Sequence, residues 1–590
     1  MLGKIIEIID NQVFVKLDID INNQTNLINL HVVFDDEVKK IIGEIVNIGQ
    51  EKMTVNIVGE LKEDKFFPGF STKPSFKSKI RIITLEELEK ILGPQTLTEG
   101  QTFFGYSTVY QNYRINVGVN DFFSNHFSIL GNSGAGKSCT VASVIQKLFT
   151  STKTPPIKSN IFLFDAYGEY TNAFSNLTKY NPNILYKTYT TNTQNPETDI
   201  IRIPLWLLDV DDIALLLDVN NPNQLPIIEK ALKLVRILTG NTDSSIKRKN
   251  DIIARALEDI LLSGSNSTKI RDQVTAVLTK FNTKELNLET QIIQPGYVRT
   301  LKQCLFIDKS GKFQEIELVT EFIRSFINKD FDEDKNIEDD DKRTYTLKDL
   351  EEAMDFALIS EGILKSEKVY DNANVLSVRL HTLANSESNV YFEYPEYVDR
   401  IDYIKNLMID KLTGKKCQIV NFNINYIDDR LAKVITKILS RMLFLVAVEN
   451  NNRGSIPFHI IIEEAHRYVQ KDKDLDILGY NIFERITKEG RKYGVFLGLI
   501  TQRPSELSDT AISQCSNFII LRTLHPKDLD YIKNMVPNIS SEIVQQLKSL
   551  QPGHCIAFGS AFKVPISMYV ELPNPTPNSN NVNLGLIWYH

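Results

Sequence analysis

Eight consecutive residues limit the folds open to this chain more than any other feature: Gly131-Asn132-Ser133-Gly134-Ala135-Gly136-Lys137-Ser138, which fits G-x-x-x-x-G-K-[ST] at every fixed position. An apolar run, Phe127 to Leu130, precedes it, and Val141, Val144, Ile145, Leu148 and Phe149 follow at helical spacing. Strand, glycine loop and helix form the context in which such a run cradles phosphates. Backbone N–H groups of the loop wrap the phosphate oxygens, and the start of the helix adds a favourable field. Lys137 is placed to neutralise β- and γ-oxygens, and the Ser138 hydroxyl to ligate Mg²⁺. The pattern predicts a nucleoside-triphosphate site, with ATP and Mg²⁺ as cofactors, lined by Gly131 to Ser138 and the next residue, Cys139.

A chain of 590 residues is too long for one core. Its 42% hydrophobic and 24% charged content is that of an ordinary globular protein. A net charge of −7 argues against a generally basic, DNA-coating protein, but not against a motor whose basic side chains are gathered in a channel. No apolar run has the length of a membrane span, and acids interrupt the apolar start, unlike a signal peptide. The five cysteines (Cys139, Cys304, Cys417, Cys515, Cys555) show no C-x-x-C pairing, which suits reduced thiols in a cytoplasm.

The chain divides by pattern. Residues 1–100 carry short β-branched runs punctuated by Asn, Asp and Gly, the rhythm of a small β-barrel. An α/β pattern occupies 101–200. Residues 201–414 hold amphipathic stripes, such as Ile227, Ala231, Leu234 and Val235, that predict a helical insertion. Within it, Lys329 to Arg343 is so charged that an exposed loop is expected. The α/β pattern resumes over 415–572. A Pro/Asn-rich segment ending in Leu584, Leu586, Ile587, Trp588 and Tyr589 makes 573–590 a docking arm. The fold class is therefore α/β, with a β-barrel in front, a helical insertion and a C-terminal arm.

Acids lie where strands of such sheets end. The run Asn160 to Phe164 leads into Asp165-Ala166-Tyr167-Gly168-Glu169-Tyr170, which points Asp165 and Glu169 at the metal or its waters; an acidic turn with Glu169 solvated is the plainer reading. Ile460-Ile461-Ile462-Glu463-Glu464 has the Walker B form, in which the first acid serves the metal shell and the second polarises the attacking water. Glu463 stands where Asp is usual, and Glu464 is the expected base. His466 has no His or Cys partner at ligand spacing and reads as a structural hydrogen-bonder. Gln502, at the end of the run Phe496 to Thr501, is placed either to orient water or to cap its strand.

These motifs, G-N-S-G-A-G-K-S, D-A-Y-G-E-Y, I-I-I-E-E-A-H-R-Y, E-G-R-K-Y-G and T-Q-R-P-S-E, together resemble HerA-type ATPases of the HerA/FtsK superfamily. The resemblance covers about residues 105–190 and 415–570. It implies a RecA-like P-loop ATPase core, a barrel of the HAS type in front and a C-terminal brace. It further implies a homohexameric translocase on double-stranded DNA, with ATP sites at subunit boundaries, paired with a separate nuclease or a sirtuin-like NAD-degrading effector. Bacterial relatives of that kind act in antiphage defence, others in DNA end processing. Arg491 is the leading candidate for an arginine acting in trans, with Arg485 and Arg503 behind it. Lys471, Lys473, Arg485 and Lys488 are the expected source of DNA-backbone contacts. No second catalytic centre stands out, so effector chemistry is expected from another polypeptide, docked on the barrel. The competing expectation is an ATP-gated ring scaffold that assembles an effector without processive movement.

Overall fold

The computed structural model describes residues 2–18, 27–36, 39–195, 199–239, 243–328, 343–362, 367–535, 541–579 and 584–589. Almost all of the charged stretch from Lys329 to Arg343 lies outside the described residues. The chain forms two compact units, one of residues 1–199, 404–472 and 481–590, the other of 200–403 and 473–480.

In the first unit, the N-terminal strands pair antiparallel in the order Gly3–Ile9, Gln12–Leu17, Lys52–Lys62, Lys40–Ile48, His31–Asp35, Lys79–Ile82, with Lys65–Pro68 on the end of Lys52–Lys62. Period-2 alternation gives this sheet its inner face: Val13, Val15, Val32, Phe34, Ile41, Ile45, Met53 and Val55 are buried together. The sheet curls until the Leu2 N–H donates to the Ile80 carbonyl at 2.9 Å. The short strands Lys65–Pro68 and Lys79–Ile82 and the helix Leu85–Leu92 add to the runs evident in the sequence. Thr84 starts that helix with a capping box, its hydroxyl accepting from Glu87 N–H while the Glu87 carboxylate accepts from Thr84 N–H. The same carboxylate takes two bonds of 2.7 Å from Arg81 and one of 2.9 Å from Lys40. The sheet is tied to the chain beyond it through His31, whose backbone N–H donates to the Tyr110 hydroxyl at 2.9 Å and whose Nδ1 lies 2.8 Å from that oxygen.

The main sheet runs in space as Tyr186–Thr190, Ile419–Asn423, Ile161–Asp165, Phe458–Ile462, Val495–Thr501, Phe127–Leu130, Asn517–Leu521, His554–Gly559, Phe562–Tyr569, Gln101–Ser107 and Arg114–Gly118. From Tyr186–Thr190 to Asn517–Leu521 every pairing is parallel; the remaining strands pair antiparallel. The parallel strands are buried at nearly every position, which is why they read as continuous apolar runs rather than alternating ones. Helices Lys137–Thr150 and Asp429–Glu449 supply covering faces through Val141, Ile145 and Leu148 and through Ile435, Ile438 and Leu439. At the antiparallel end Phe104, Phe122 and Phe127 meet ring to ring at 4.9 Å, each such pair adding about 0.5–1.5 kcal/mol beyond its buried area.

The second unit is mostly helical. Helix Leu225–Leu238 packs on Leu347–Gly362, and Asp243–Leu261 on Ser267–Lys280 and Ile316–Arg324. The sequence stripes are its interior: Ala231, Val235, Leu257, Ile260, Val274 and Val277 are buried. A small hairpin, Gln291–Gln294 with Tyr297–Thr300, interrupts the helices. Among the described residues no helix is long and apolar enough to cross a membrane.

Glu87 carries three charged hydrogen bonds and half of a capping box while almost fully buried. Glu87→Ala is expected to destabilise the N-terminal sheet by about 1–3 kcal/mol, read as a lowered first transition in thermal unfolding. Arg81 holds the Glu87 carboxyl well below the usual carboxylate range. Its contribution is therefore complete above the ordinary carboxylate pKa and declines as pH falls below it. A Glu87→Ala protein whose unfolding matched wild type at neutral pH would contradict this.

Candidate functional site

The glycine loop leaves the carboxyl end of Phe127–Leu130, flanked by Val495–Thr501 on one side and Asn517–Leu521 on the other. Ligands of open α/β sheets bind outside the carboxyl ends of strands. The loop is fixed at its root by two backbone bonds: Gly131 N–H donates to Thr501 O at 3.2 Å, and Asn132 N–H to Arg522 O at 2.9 Å. Gly136 takes φ +100° as the residue capping helix Lys137–Thr150, a conformation that side chains rarely adopt. At Gly131, also at positive φ, an added Cβ would meet Leu521 Cβ at 2.9 Å.

The parallel register then brings the remote motifs together. Phe164 stands beside Ile462, so Asp165 and Glu463 emerge next to each other, and Glu463 N–H donates to Phe164 O at 3.1 Å. Ser138 Oγ lies 3.4 Å from Glu463 Oε1, and the Tyr170 hydroxyl donates to that same oxygen at 3.2 Å. Asp165 is fully buried and accepts from the N–H groups of Glu169 and Tyr170 at 3.0 and 2.9 Å and from Asn421 Nδ2 at 3.4 Å. It organises the turn that carries Glu169. Lys137 is also buried, its ammonium donating to Asn132 O at 3.3 Å.

Glu464 has φ +48° and ψ +45°, left-handed for a residue other than glycine. Strain of this kind persists only where surrounding structure holds it, and it is concentrated at functional positions. Arg467 N–H holds the Glu464 carbonyl at 2.8 Å. His466 Nδ1 lies 3.2 Å from Glu464 Oε2 but hydrogen-bonds Thr501 Oγ1 at 3.0 Å. The hydroxyl also accepts from Arg503 N–H, so Thr501 links the Walker B turn to the segment bearing half-buried Gln502.

Charge in the site is unbalanced. Glu169, Glu463 and Glu464 each keep a buried Oε2 without a hydrogen-bond partner among the described residues. Burial raises the carboxyl pKa of Glu463 far above its ordinary value, and Asp165, Glu169 and Glu464 add repulsion. Burial likewise raises Asp165 and Glu169 and lowers Lys137, whose cation the three glutamates partly restore. Orphaned carboxylate oxygens around one desolvated lysine fit a divalent cation bound with a polyphosphate. Ser138 and Glu463 would hold Mg²⁺, which would offset phosphate charge and fix its orientation. Cys139 is half-buried beside this group, its thiol pushed up by burial and by Glu169.

The structure thus brings together Gly131 to Cys139, Asp165, Glu169, Glu463 and Glu464, with Gln502 at the loop's root. Arg491 is elsewhere. It lies in the turn Gly490–Lys492 ahead of Val495–Thr501, and its charge helps burial hold His126 down to about 4. His126 precedes the loop strand, so Arg491 sits at the opposite sheet edge from Lys137, a strand length or about 13 Å away. Arg503 pairs with Glu506 at 3.1 Å, Arg485 with Glu489 at 3.6 Å, Lys488 with Glu484 at 3.8 Å, and Lys471 with Asp509. Tyr170, Asn421 and Arg522 were not singled out by sequence. Tyr170 was legible as the second aromatic of D-A-Y-G-E-Y; the other two are recognisable only from strand neighbours.

Residues 102–303 match the family model described as "Helicase HerA, central domain". A "Probable helicase MJECL08" of Methanocaldococcus jannaschii is 25% identical over 474 residues, 80% of this chain and 71% of that protein. A "DNA double-strand break repair helicase HerA" of Pyrococcus furiosus is 23% identical over 458 residues, 77% of this chain and 66% of that one. The chain thus spans about two thirds of the length of each. Among solved structures, VirB4 of Thermoanaerobacter pseudethanolicus aligns with 80% of this chain and 98% of its own at 13% identity, with a TM-score of 0.44. The Walker geometry, the motif order and the central-domain match agree: residues 102–303 carry a HerA-type central domain, and the chain is a P-loop ATPase similar to HerA-type helicases.

Proposed function

We propose that this ATPase drives a homohexameric ring along double-stranded DNA and serves a separate nuclease or NAD-degrading effector, in DNA end processing or antiphage defence. The observation that carries the reading is the constellation of Lys137, Ser138, Glu463 and Glu464 at one sheet edge, with buried carboxylate oxygens still to be satisfied. In it Lys137 would bind phosphate oxygens, Ser138 and Glu463 would hold the Mg²⁺, and Glu464 would take a proton from the attacking water. Gln502 orients that water. Asp165 and Tyr170 keep the acidic turn and Glu463 in place.

The ring supplies what one chain lacks. Arg491 cannot serve Lys137 of its own subunit from the opposite sheet edge, so it is assigned to the neighbour's site. The C-terminal helix Leu584–Tyr589 exposes Leu584, Ile587 and Trp588, which suits a brace on another copy. The relatives named as helicases support DNA as the track. Of the cations between the Walker B strand and Val495–Thr501, Lys471, Arg485 and Lys488 are each within reach of a carboxylate, so phosphate contact there exchanges one partner for another. The N-terminal sheet, with Phe67, Phe76 and Leu85 exposed, is the assigned effector dock.

Lys137→Ala is expected to abolish ATP binding. Glu464→Gln should bind ATP with near wild-type affinity and hydrolyse it about 10²–10⁴-fold more slowly; wild-type turnover in that variant would remove Glu464 as base. Arg491→Ala should hydrolyse poorly alone, yet regain part of its turnover when mixed with Lys137→Ala subunits, since the boundary that joins Lys137 of the first to Arg491 of the second is then complete; no recovery in mixed rings contradicts the trans assignment. Double-stranded DNA should stimulate hydrolysis and bind less tightly as salt rises, with a steep log–log slope. Effector activity that survives Glu464→Gln while DNA movement is lost would favour the scaffold over the motor.

A further inference from the structure

The acid-rich site contains one cation from the glycine loop, yet a second stands at its rim unused. Arg522 is the first residue past the strand Asn517–Leu521, which pairs directly with the loop strand, and it therefore occupies the ligand edge of the sheet. Its backbone is locked to the loop. The carbonyl accepts from Asn132 N–H at 2.9 Å, and two residues on, Leu524 N–H lies 3.4 Å from Asn132 Oδ1. Asn132 is also the residue whose carbonyl receives the Lys137 ammonium at 3.3 Å. Thr523 fixes the turn further, its N–H donating to Leu547 O and its hydroxyl to Leu521 O.

The side chain is held only halfway. Arg522 is half-buried, and its Nε is shielded from solvent with no hydrogen-bond partner among the described residues. Most other arginines of the first unit reach a carboxylate, a carbonyl or an aromatic face: Arg81, Arg114, Arg453, Arg467, Arg485 and Arg503 all do. A desolvated guanidinium N–H without an acceptor is costly, and what it calls for is an oxyanion, to which arginine offers paired donors in one plane. The local carboxylates do not fill that role, since among the described residues no ion pair involves Arg522.

We propose that Arg522 is a second phosphate-binding cation of the ATP site, supplied by the same chain as Lys137 and positioned by Asn132. This deepens the nucleotide-site reading and rests on it. Arg522 then reports the presence of phosphate from the side of the loop opposite the Walker B strand, and links it to the turn leading into helix Pro526–Met535.

The test compares full-length wild type, Arg522→Gln, Arg522→Lys and Lys137→Ala by equilibrium binding of ATP, ADP and AMP with Mg²⁺ present, together with solution mass and thermal unfolding. Arg522→Gln should weaken ATP about 10- to 100-fold, AMP by less than threefold, and leave mass and unfolding unchanged. Arg522→Lys should recover part of the ATP affinity. Unchanged ATP affinity in Arg522→Gln while Lys137→Ala abolishes binding would overturn the assignment and leave the nucleotide site standing. Unchanged binding in Lys137→Ala as well would overturn the site itself. A loss of affinity that tracks a change in solution mass would place Arg522 at a subunit boundary instead, and so also overturn the assignment.

Discussion

Everything in the first unit depends on one alignment, the parallel pairing that ends Ile161–Asp165 and Phe458–Ile462 level with each other, with only Val495–Thr501 between them and the strand carrying the glycine loop. A parallel ladder fixes which residues leave the sheet together, and here those are Asp165, Glu463 and the loop. A shift of one residue would turn every side chain of the moving strand to the other face and separate Glu463 from Ser138. The continuous apolar character of these strands is thus the condition for the polar cluster at their ends. Layers of Phe, Ile and Leu set the register, and the register sets a contact between residues 325 positions apart.

The energetic counterpart is a site that is costly without its ligands. Buried carboxylates repel each other, and Lys137 is desolvated beside them. Such groups destabilise a fold unless something pays the cost, and a nucleotide with its divalent cation satisfies both signs at once. ATP binding is then expected to stabilise the protein by mass action as well as to feed the reaction. The left-handed backbone of Glu464 belongs to the same economy, since it aims a carboxylate that a relaxed strand end would leave pointing elsewhere.

Much of this was legible in the chain. The glycine loop and the paired glutamates are local in sequence, and apolar runs such as Phe458–Ile462, Val495–Thr501 and Asn517–Leu521 coincide with strands because burial on both faces leaves no polar alternation to misread. Helical stripes such as Ile227, Ala231 and Val235 became interior for the same reason. What the sequence hid is whatever depends on lateral order. Arg522 gains its meaning from a strand neighbour nearly 400 residues away, and Asn421 from pairing beside Asp165. The short strands Lys65–Pro68 and Lys79–Ile82 are too brief and too rich in lysine to announce themselves, each burying a single central side chain, Phe66 or Ile80.

The order of strands also bears on how such a chain is made. Phe127–Leu130, the root of the glycine loop, finds both of its neighbours in the last hundred residues, Val495–Thr501 and Asn517–Leu521, while Gln101–Ser107 waits for Phe562–Tyr569. During synthesis, more than 350 residues follow the loop before its strand can be covered on either edge, and an apolar strand with two open edges readily pairs with another chain. The N-terminal strands pair among themselves and the helical second unit has interior contacts of its own, so both can fold during that interval. Truncations that remove these late strands should therefore yield an aggregating polypeptide rather than a smaller ATPase, because the central sheet is covered only when Val495–Thr501, Asn517–Leu521 and Phe562–Tyr569 have emerged from the ribosome.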